Sequence, residues 1–319
     1  MSLTKTHTGF AIAIAWPETY CKQPGSWYDG ITAKMGVNKN NYYMAGHAAL
    51  VLVEKSTGNC QYFDFGRYHS PFQHGRVRSV LTDDDLRVNT KAIFSKDKTE
   101  ITNFKEILTE LQTNPSCHGE GELKASYCPV NFQSAFKKAN QMQNDSPMPY
   151  GPFFQGGSNC SRFVNSAIMA GKPPFKYIIY LKHLIFITPT PMNNVNALDH
   201  KIILPVILDY TPFEPVKILS VEQIRSTLFQ PERDNKIPGN AQWLAGEGAG
   251  SWFSFEGKDG NLQITRYSPG GTVECKGEYW SEHKNINTKR IKITYPSNCN
   301  KVHIIDSDKI IVFNRLDKN

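Results

Sequence analysis

The C-terminal part of the chain consists of short strand-type segments at regular spacing, and this pattern restricts the fold most. Six segments rich in β-branched and aromatic residues read SWFSFE, LQITRY, TVECKGEYW, RIKITY, KVHII and KIIVF. The turn sequences DGN, SPGG, NIN, PSN and DSD separate them. Short strands with a turn about every 8–12 residues are typical of a small antiparallel sandwich or barrel. We therefore predict an all-β domain over residues 239–319.

The preceding residues, 1–238, mix strand and helix patterns. Segments at 10–15, 47–54 and 61–65 predict strands, and the last two form a hairpin around the turn sequence STGN. Apolar residues at helical spacing predict helices over 103–112 and 130–143. A chain of 319 residues suits two domains. We therefore predict an α+β domain, with an antiparallel sheet and packed helices, before the β domain.

Composition and charge exclude several classes of protein. Hydrophobic residues make up 39% and charged residues 20% of the chain, as in soluble globular proteins. The longest apolar stretch, residues 177–187, contains Lys182 and His183 and is shorter than the ~18 residues of a membrane helix. The net charge is +7, but the basic residues are scattered and no RNA-binding aromatic motif accompanies them. We expect neither stable membrane association nor a nucleic-acid partner.

Residues 1–18 do not have the features of an export signal. Their apolar run is short and alternates with alanine, which favours a buried strand. We therefore expect a cytoplasmic protein, with an export signal already removed as the alternative.

The cysteines give no sign of a disulfide framework or a metal site. There are seven, an odd number without tight spacing, which predicts reduced thiols. Cys117, His118 and Cys128 fit no zinc pattern. The acidic run at 83–85 lacks the alternating ligands of a calcium loop. We therefore predict no metal and no cofactor.

One cysteine, Cys160, lies between a glycine pair and a predicted helix, in the sequence GGSNCSRFVN. The unpaired N–H groups and the dipole of a helix N-terminus lower a thiol pKa, and the same groups stabilise an oxyanion. Gly156 and Gly157 permit a tight turn and leave space for a substrate. This is the placement of a cysteine nucleophile. The alternative is a structural cysteine in a helix start that Ser158 or Asn159 caps.

A cysteine nucleophile needs a histidine base and a polar group that orients it. His47 opens an apolar strand, and Asp64 lies in the middle of the paired strand, where an unpartnered acid is costly. A His–Asp pair across the two strands satisfies both and fixes the imidazole tautomer. Tyr62 shares a strand face with Asp64 and is an alternative third residue. His69 is an alternative base, and His47 as a plain core histidine is the non-catalytic reading.

The motif GSNCSRFVNSAI resembles the nucleophile motif of the lecithin retinol acyltransferase and YiiX-like branch of NlpC-type, papain-fold cysteine hydrolases. In that circularly permuted branch, a strand histidine comes first, a polar residue follows and the cysteine comes last, which is the order of His47, Asp64 and Cys160. The resemblance covers roughly residues 8–175. The whole-chain pattern, with GHAALVLV and YFDFGRYHSP, also resembles a bacterial family seen mainly in Bacteroidetes.

The resemblance implies a cysteine peptidase or amidase that cleaves a peptide, murein-fragment or acyl amide through a thioester at Cys160. His47 is then the general base and Asp64 orients it, and this chemistry needs no cofactor. We expect substrate contacts from Tyr62, Arg67, Tyr68, His69 and Arg162. Acyltransferase relatives carry Glu-His after the cysteine, whereas this chain has Ser-Arg, which puts a lipid substrate in doubt. A cysteine acyltransferase and a non-catalytic binding or scaffold protein remain the alternatives.

Overall fold

A computed structural model describes residues 7–23, 25, 29, 38–117, 119–151, 154–185, 188–206, 213–258, 260–283, 286, 288 and 290–316. The strands before residue 238 are β1 Gly9–Trp16, β2 Cys21–Lys22, β3 Asn38–Lys39, β4 Tyr42–Tyr43, β5 His47–Glu54, β6 Cys60–Gly66, β7 His74–Arg78, β8 Leu123–Val130, β9 Met148–Pro149 and β10 Asp199–Leu204. Seven of them form an antiparallel sheet in the order β10-β8-β1-β5-β6-β7-β9, and β2, β4 and β3 form a small separate sheet.

Six helices accompany these strands in the described part of the chain. They are α1 Phe104–Thr113, α2 Phe132–Asn144, α3 Cys160–Ala170, α4 Phe175–Ile178, α5 Pro191–Asn196 and α6 Val221–Ile224. A 3₁₀ turn at Asp84–Leu86 and a π-helical turn at Ile179–His183 complete the helical segments. The predicted second helix begins at Phe132 rather than at Val130, because Val130 still pairs in β8.

The central strand β1 is buried on both faces, which explains why its sequence is almost continuously apolar. Its alanines face the core that contains Phe163 and Val164 of α3, where small side chains let the helix approach the sheet closely. Its isoleucines and Trp16 face the opposite core, which contains Leu108 of α1. The helix α3 therefore packs on one face of the sheet, and α1 packs on the opposite face. No helix in the described ranges is both long and apolar enough to cross a membrane.

The C-terminal region forms a second antiparallel sheet in the order β11-β12-β13-β14-β17-β16-β15. Its strands are β11 Gln242–Leu244, β12 Ser251–Lys258, β13 Asn261–Tyr267, β14 Val273–Trp280, β15 Lys292–Thr294, β16 Lys301–Asp306 and β17 Lys309–Arg315. The Gln242 side chain joins the two edge strands: its Nε2 donates to the Ile291 carbonyl and its Oε1 accepts from the Ile293 amide, both at 2.8 Å. The sheet is therefore nearly closed. The predicted NIN turn lies partly outside the described residues.

These features confirm the antiparallel sheet with packed helices and the C-terminal all-β region. The prediction that all cysteines are reduced is wrong, because Cys275 and Cys299 form a disulfide. They lie 24 residues apart in sequence, yet β14 and the turn before β16 bring their Cα atoms to 6.1 Å. Sequence spacing alone does not reveal such a contact between strands that are distant along the chain.

Buried ion pairs fasten the second sheet to the first part of the chain. Arg67 Nη1 lies 2.6 Å from Glu247 Oε2, and Arg266 Nη1 lies 2.8 Å from Asp83 Oδ1. The backbone also contributes, since the Gly248 amide donates to the Arg67 carbonyl at 3.0 Å. Both carboxylates are fully buried, so this junction is a packed interface and not a flexible linker.

Candidate active site

Cys160 is the first residue of α3. Asn159 before it has extended backbone, and its Oδ1 accepts a hydrogen bond from the Arg162 amide at 2.8 Å, which is a standard N-cap. The Ala48 amide of β5 lies near the Cys160 sulfur and contributes to the lowered pKa of the thiol. The thiol therefore sits at the positive end of a helix dipole and against an amide of the central sheet.

His47 is the first residue of β5 and pairs with Trp16 of β1. Its ring stacks on the Trp16 indole with centroids 5.9 Å apart, and it meets the Tyr68 ring edge to face with centroids 6.5 Å apart. The Cys160 sulfur lies close enough to the imidazole for each group to shift the pKa of the other, and the sulfur also contacts Ser161 Oγ at 3.8 Å. The Nε2 atom faces Asp64 and has no hydrogen-bond partner among the described residues. Packing on two aromatic rings holds the imidazole in this orientation.

Asp64 pairs with Ala49 across β5 and β6, so it lies on the same sheet face as His47, two residues away. Its Oδ2 lies 3.6 Å from His47 Nε2, an ion-pair distance just longer than a hydrogen bond. The Tyr62 hydroxyl donates to Oδ2 at 3.1 Å, and Arg78 Nε donates to Oδ1 at 2.9 Å. Asp64 thus faces the imidazole, whereas Tyr62 supports the carboxylate.

The pKa values of these groups follow from burial and mutual contact. Burial alone lowers the pKa of His47, but the Asp64 carboxylate and the Cys160 sulfur outweigh burial and raise the pKa to about 9. Burial raises the pKa of the Cys160 thiol, yet His47 reverses this effect and holds the pKa below its ordinary value. Arg78 and His47 hold the pKa of Asp64 low despite its burial. The arrangement therefore favours a thiolate–imidazolium pair beside an ionised carboxylate.

His69 lies away from this cluster. Its Nε2 contacts Ser251 Oγ at 2.7 Å, and its Nδ1 accepts from Arg76 Nη2 at 3.1 Å, which fixes it as the neutral Nε2–H tautomer. Burial and the neighbouring cations Arg266 and Arg76 hold the pKa of His69 well below its ordinary value. A histidine that donates to a serine and accepts from an arginine has no free nitrogen for a base role, so His69 belongs to the junction with the second sheet.

Two cavities meet at the site. One, of about 630 Å³, is lined by His47, and the other, of about 460 Å³, is lined by Cys160. Four residues line both of them: Cys21, Lys22, Arg67 and Tyr150. The catalytic candidates therefore lie where the two cavities adjoin, with the thiol toward one and the imidazole toward the other.

Of the five predicted substrate contacts, Arg67 and Tyr68 line these cavities. Tyr62, His69 and Arg162 do not: Arg162 Nη1 instead lies 3.5 Å from the Gly151 carbonyl. His118, which was considered as a metal ligand together with Cys117 and Cys128, lies outside the described residues.

Sequence analysis missed several lining residues, among them Cys21, Tyr150 and Glu247. Tyr150 lies in the proline-rich segment before the nucleophile motif, and Glu247 in the turn before β12, so neither belongs to a periodic pattern. The proline and glycine residues around Tyr150 and the glycine residues around Glu247 indicate loops, and binding residues are often carried on loops.

A helix-terminal cysteine against a strand histidine on an antiparallel sheet is the arrangement of papain-like proteins, in which a Cys–His pair is oriented by a third polar residue. The chain belongs to the Type VI secretion system effector TseH-like family, whose family model matches residues 11–176. A second family model, described as the DUF6695 C-terminal domain, matches residues 241–316.

Among solved structures, the chain is similar to the crystal structure of the Type VI secretion system effector TseH, with 20% identity and a TM-score of 0.35. The match covers 51% of this chain and 76% of that chain. No curated protein matches the chain.

Proposed function

We propose that the protein is a cysteine hydrolase that cleaves an amide through a thioester at Cys160. The observation that carries this proposal is the cluster of Cys160 at the start of α3, His47 at the start of β5 and Asp64, whose Oδ2 lies 3.6 Å from His47 Nε2. The Cys160 sulfur is close enough to the imidazole to raise its pKa. A non-catalytic scaffold has no need for a thiol with a lowered pKa that lines a cavity. His47 serves as general base and acid, and Asp64 orients its ring.

Each step follows from the positions of these groups. The Cys160 thiolate attacks the carbonyl carbon and forms a C–S bond, while the amide N–H groups of the first α3 turn stabilise the oxyanion. His47 passes its proton to the amine as the C–N bond breaks. Water then attacks the thioester, His47 takes a proton from that water, and the Cys160 thiolate leaves with its electron pair.

The substrate class we propose is a peptide, a murein fragment or an acyl amide. Two observations favour an action outside the cytoplasm rather than in it. Membership of a secretion-system effector family is one. The Cys275–Cys299 disulfide is the other, because disulfides persist in oxidising compartments.

The proposal is tested by the rate of iodoacetamide alkylation at each cysteine against pH, followed by peptide mass spectrometry in the wild type and in His47→Gln. Cys160 should react at a pH below the ordinary thiol pKa of about 8.5, because His47 lowers the pKa of its thiol. Cys60 and Cys117 serve as internal controls, because burial raises the pKa of each to about 12.

In His47→Gln, the advantage of Cys160 should disappear, since burial then acts on the thiol without a cationic partner. A Cys160 thiol that is no more reactive than Cys60 in the wild type contradicts the hydrolase and favours a binding or scaffold protein. An active enzyme that transfers the acyl group to an added amine in preference to water is instead an acyltransferase.

A further inference from the structure

The two cavities differ in chemistry as well as in position. The cavity beside Cys160 is lined largely by apolar side chains: Pro17, Tyr43, Met44, Pro189, Pro191 and Met192. The cavity beside His47 instead includes the polar side chains of Gln112, Asn114 and Glu120. The carboxyl of Glu120 is half-buried, and this burial raises its pKa.

Several polar groups of the Cys160 cavity are engaged elsewhere, whereas the buried Thr188 hydroxyl has no hydrogen-bond partner among the described residues. Lys22 Nζ donates to the Gln223 carbonyl at 2.8 Å and to the Ser226 carbonyl at 2.5 Å, while the Arg67 guanidinium is paired with Glu247. The Asn159 side chain caps α3, and the Thr190 hydroxyl accepts from the Asn193 amide at the start of α5. The Lys22, Arg67, Asn159 and Thr190 side chains are therefore bound by the protein itself, which leaves the Thr188 hydroxyl as a polar group in a largely apolar cavity.

The chemistry assigns one part of a substrate to each cavity. The leaving amine must take its proton from His47, so it lies on the side where the imidazole is exposed. The acyl carbon becomes bonded to the Cys160 sulfur, so the rest of the acyl group lies on the side where the thiol is exposed. Cavity lining thus sets the direction in which an amide binds.

We propose that the cavity beside Cys160 is an acyl-group site for an apolar acyl chain or side chain. The cavity beside His47, which is the more polar of the two, receives the amine portion. This inference rests on the proposed function, since it assumes that Cys160 becomes acylated. Burial of each methylene group of the acyl chain is worth about 0.8 kcal/mol, or about fourfold in rate when the transition state buries it.

The test uses p-nitrophenyl acetate, butyrate and hexanoate, because the leaving group stays constant while the acyl chain grows. The Cys160 sulfur forms the C–S bond, the ester C–O bond breaks, and p-nitrophenolate leaves and is followed by absorbance. Peptide mass spectrometry locates the acyl group on Cys160. Each rate is divided by that of the same ester with 2-mercaptoethanol, which removes the intrinsic reactivity of the ester.

In the wild type, the normalised acylation rate should rise by up to about fourfold for each added methylene. Met192→Asp and Met44→Asp should each flatten this dependence, because a carboxylate in the cavity opposes an apolar chain. Ile310→Asp is the matched control: Ile310 is exposed in β17 and lines neither cavity, so the dependence should be unchanged.

The outcomes separate the two proposals. Acylation of Cys160 with no dependence on chain length overturns the acyl-group site and leaves the hydrolase standing. A dependence that survives both methionine variants places the apolar site elsewhere and overturns the assignment of this cavity. Failure of every ester to acylate Cys160 overturns the hydrolase and the acyl-group site together.

Discussion

Arg78 makes a bidentate contact with Asp64: its Nε lies 2.9 Å from Oδ1, and its Nη2 contacts Oδ2. The same Oδ2 faces His47, so the Asp64 carboxylate contacts both the Arg78 guanidinium, which is always charged, and the His47 imidazole, which titrates. Arg78 also donates to the Ser116 carbonyl at 2.9 Å and lies 3.9 Å from the centre of the Tyr68 ring. Its role is therefore to position Asp64, although it lies outside both cavities.

Replacement of Arg78 by Met should lower the free energy of unfolding by about 3–5 kcal/mol, because it leaves the Asp64 charge buried without its main partner. Urea denaturation measures this loss. Arg290→Met is the control, since Arg290 is exposed, and it should change stability by less than about 0.5 kcal/mol. Equal stability of the two variants would contradict the role of Arg78.

The Cys160 thiolate and the His47 imidazolium predict different pH profiles for alkylation and for amide cleavage. Alkylation of Cys160 needs only the thiolate, so its rate should rise at a pH below the ordinary thiol pKa and then stay level. In the proposed mechanism, amide cleavage also needs the proton on His47. Because the raised pKa of His47 keeps that proton up to about pH 9 and loses it above, the amide rate should fall above pH 9.

This difference is measured with an acyl p-nitroanilide for the amide and iodoacetamide for the thiol, over pH 5–11, in the same preparation. His47→Gln should abolish the alkaline fall together with most amide cleavage. An amide rate that keeps rising through pH 10 would show that the proton on His47 is not used in the reaction.

Gly66 must lack a side chain because the Tyr68 ring occupies the space. A Cβ atom at this position would lie 2.1 Å from the Tyr68 ring, which itself contacts His47 and Arg78. Gly66→Ala should therefore destabilise the fold by about 1–3 kcal/mol and displace the ring. Thermal unfolding and Tyr68 proton shifts in NMR spectra report the two effects. Gly270→Ala is the control: nothing lies within 4 Å of its Cβ position, and its melting temperature should be unchanged.

How far the sequence predicts this site depends on the range of the contacts. His47 and Asp64 lie on neighbouring strands joined by a short turn, so strand parity and hairpin register place them on one face. Cys160 is marked by its local helix start, with Asn159 as the cap. These features are readable because each depends on residues close together in the chain.

The remaining partners depend on long-range contacts that no local pattern encodes. Arg78 reaches Asp64 only through the register of β6 with β7, which the irregular segment between them sets. Glu247 reaches Arg67 across 180 residues, and the disulfide depends on the order of strands in the second sheet. The polar and aromatic residues around His69 make it an alternative base in the sequence. Its hydrogen-bond partner Ser251 lies in the second sheet, which no pattern near His69 indicates.

Glu247 links the second sheet to the cavity wall, and its loss should loosen this junction. Its Oε2 lies 2.6 Å from Arg67 Nη1, and its Oε1 accepts from the Gln73 amide at 2.7 Å, with both oxygens fully buried. Glu247→Gln removes the charge that balances Arg67 within a nearly isosteric side chain. We expect a loss of about 1–3 kcal/mol and faster amide hydrogen exchange at Gly248, whose amide binds the Arg67 carbonyl.

Glu256→Gln is the matched control, because Glu256 is an exposed residue of β12 in the same sheet and should leave exchange at Gly248 unchanged. Since Glu247 and Arg67 both line the cavity beside His47, Glu247→Gln should also raise KM for amides more than it lowers kcat. If Glu247→Gln accelerates exchange throughout the central sheet as much as at Gly248, the carboxylate stabilises the whole fold rather than the junction. Unchanged exchange at Gly248 would mean that backbone contacts alone hold the two sheets together.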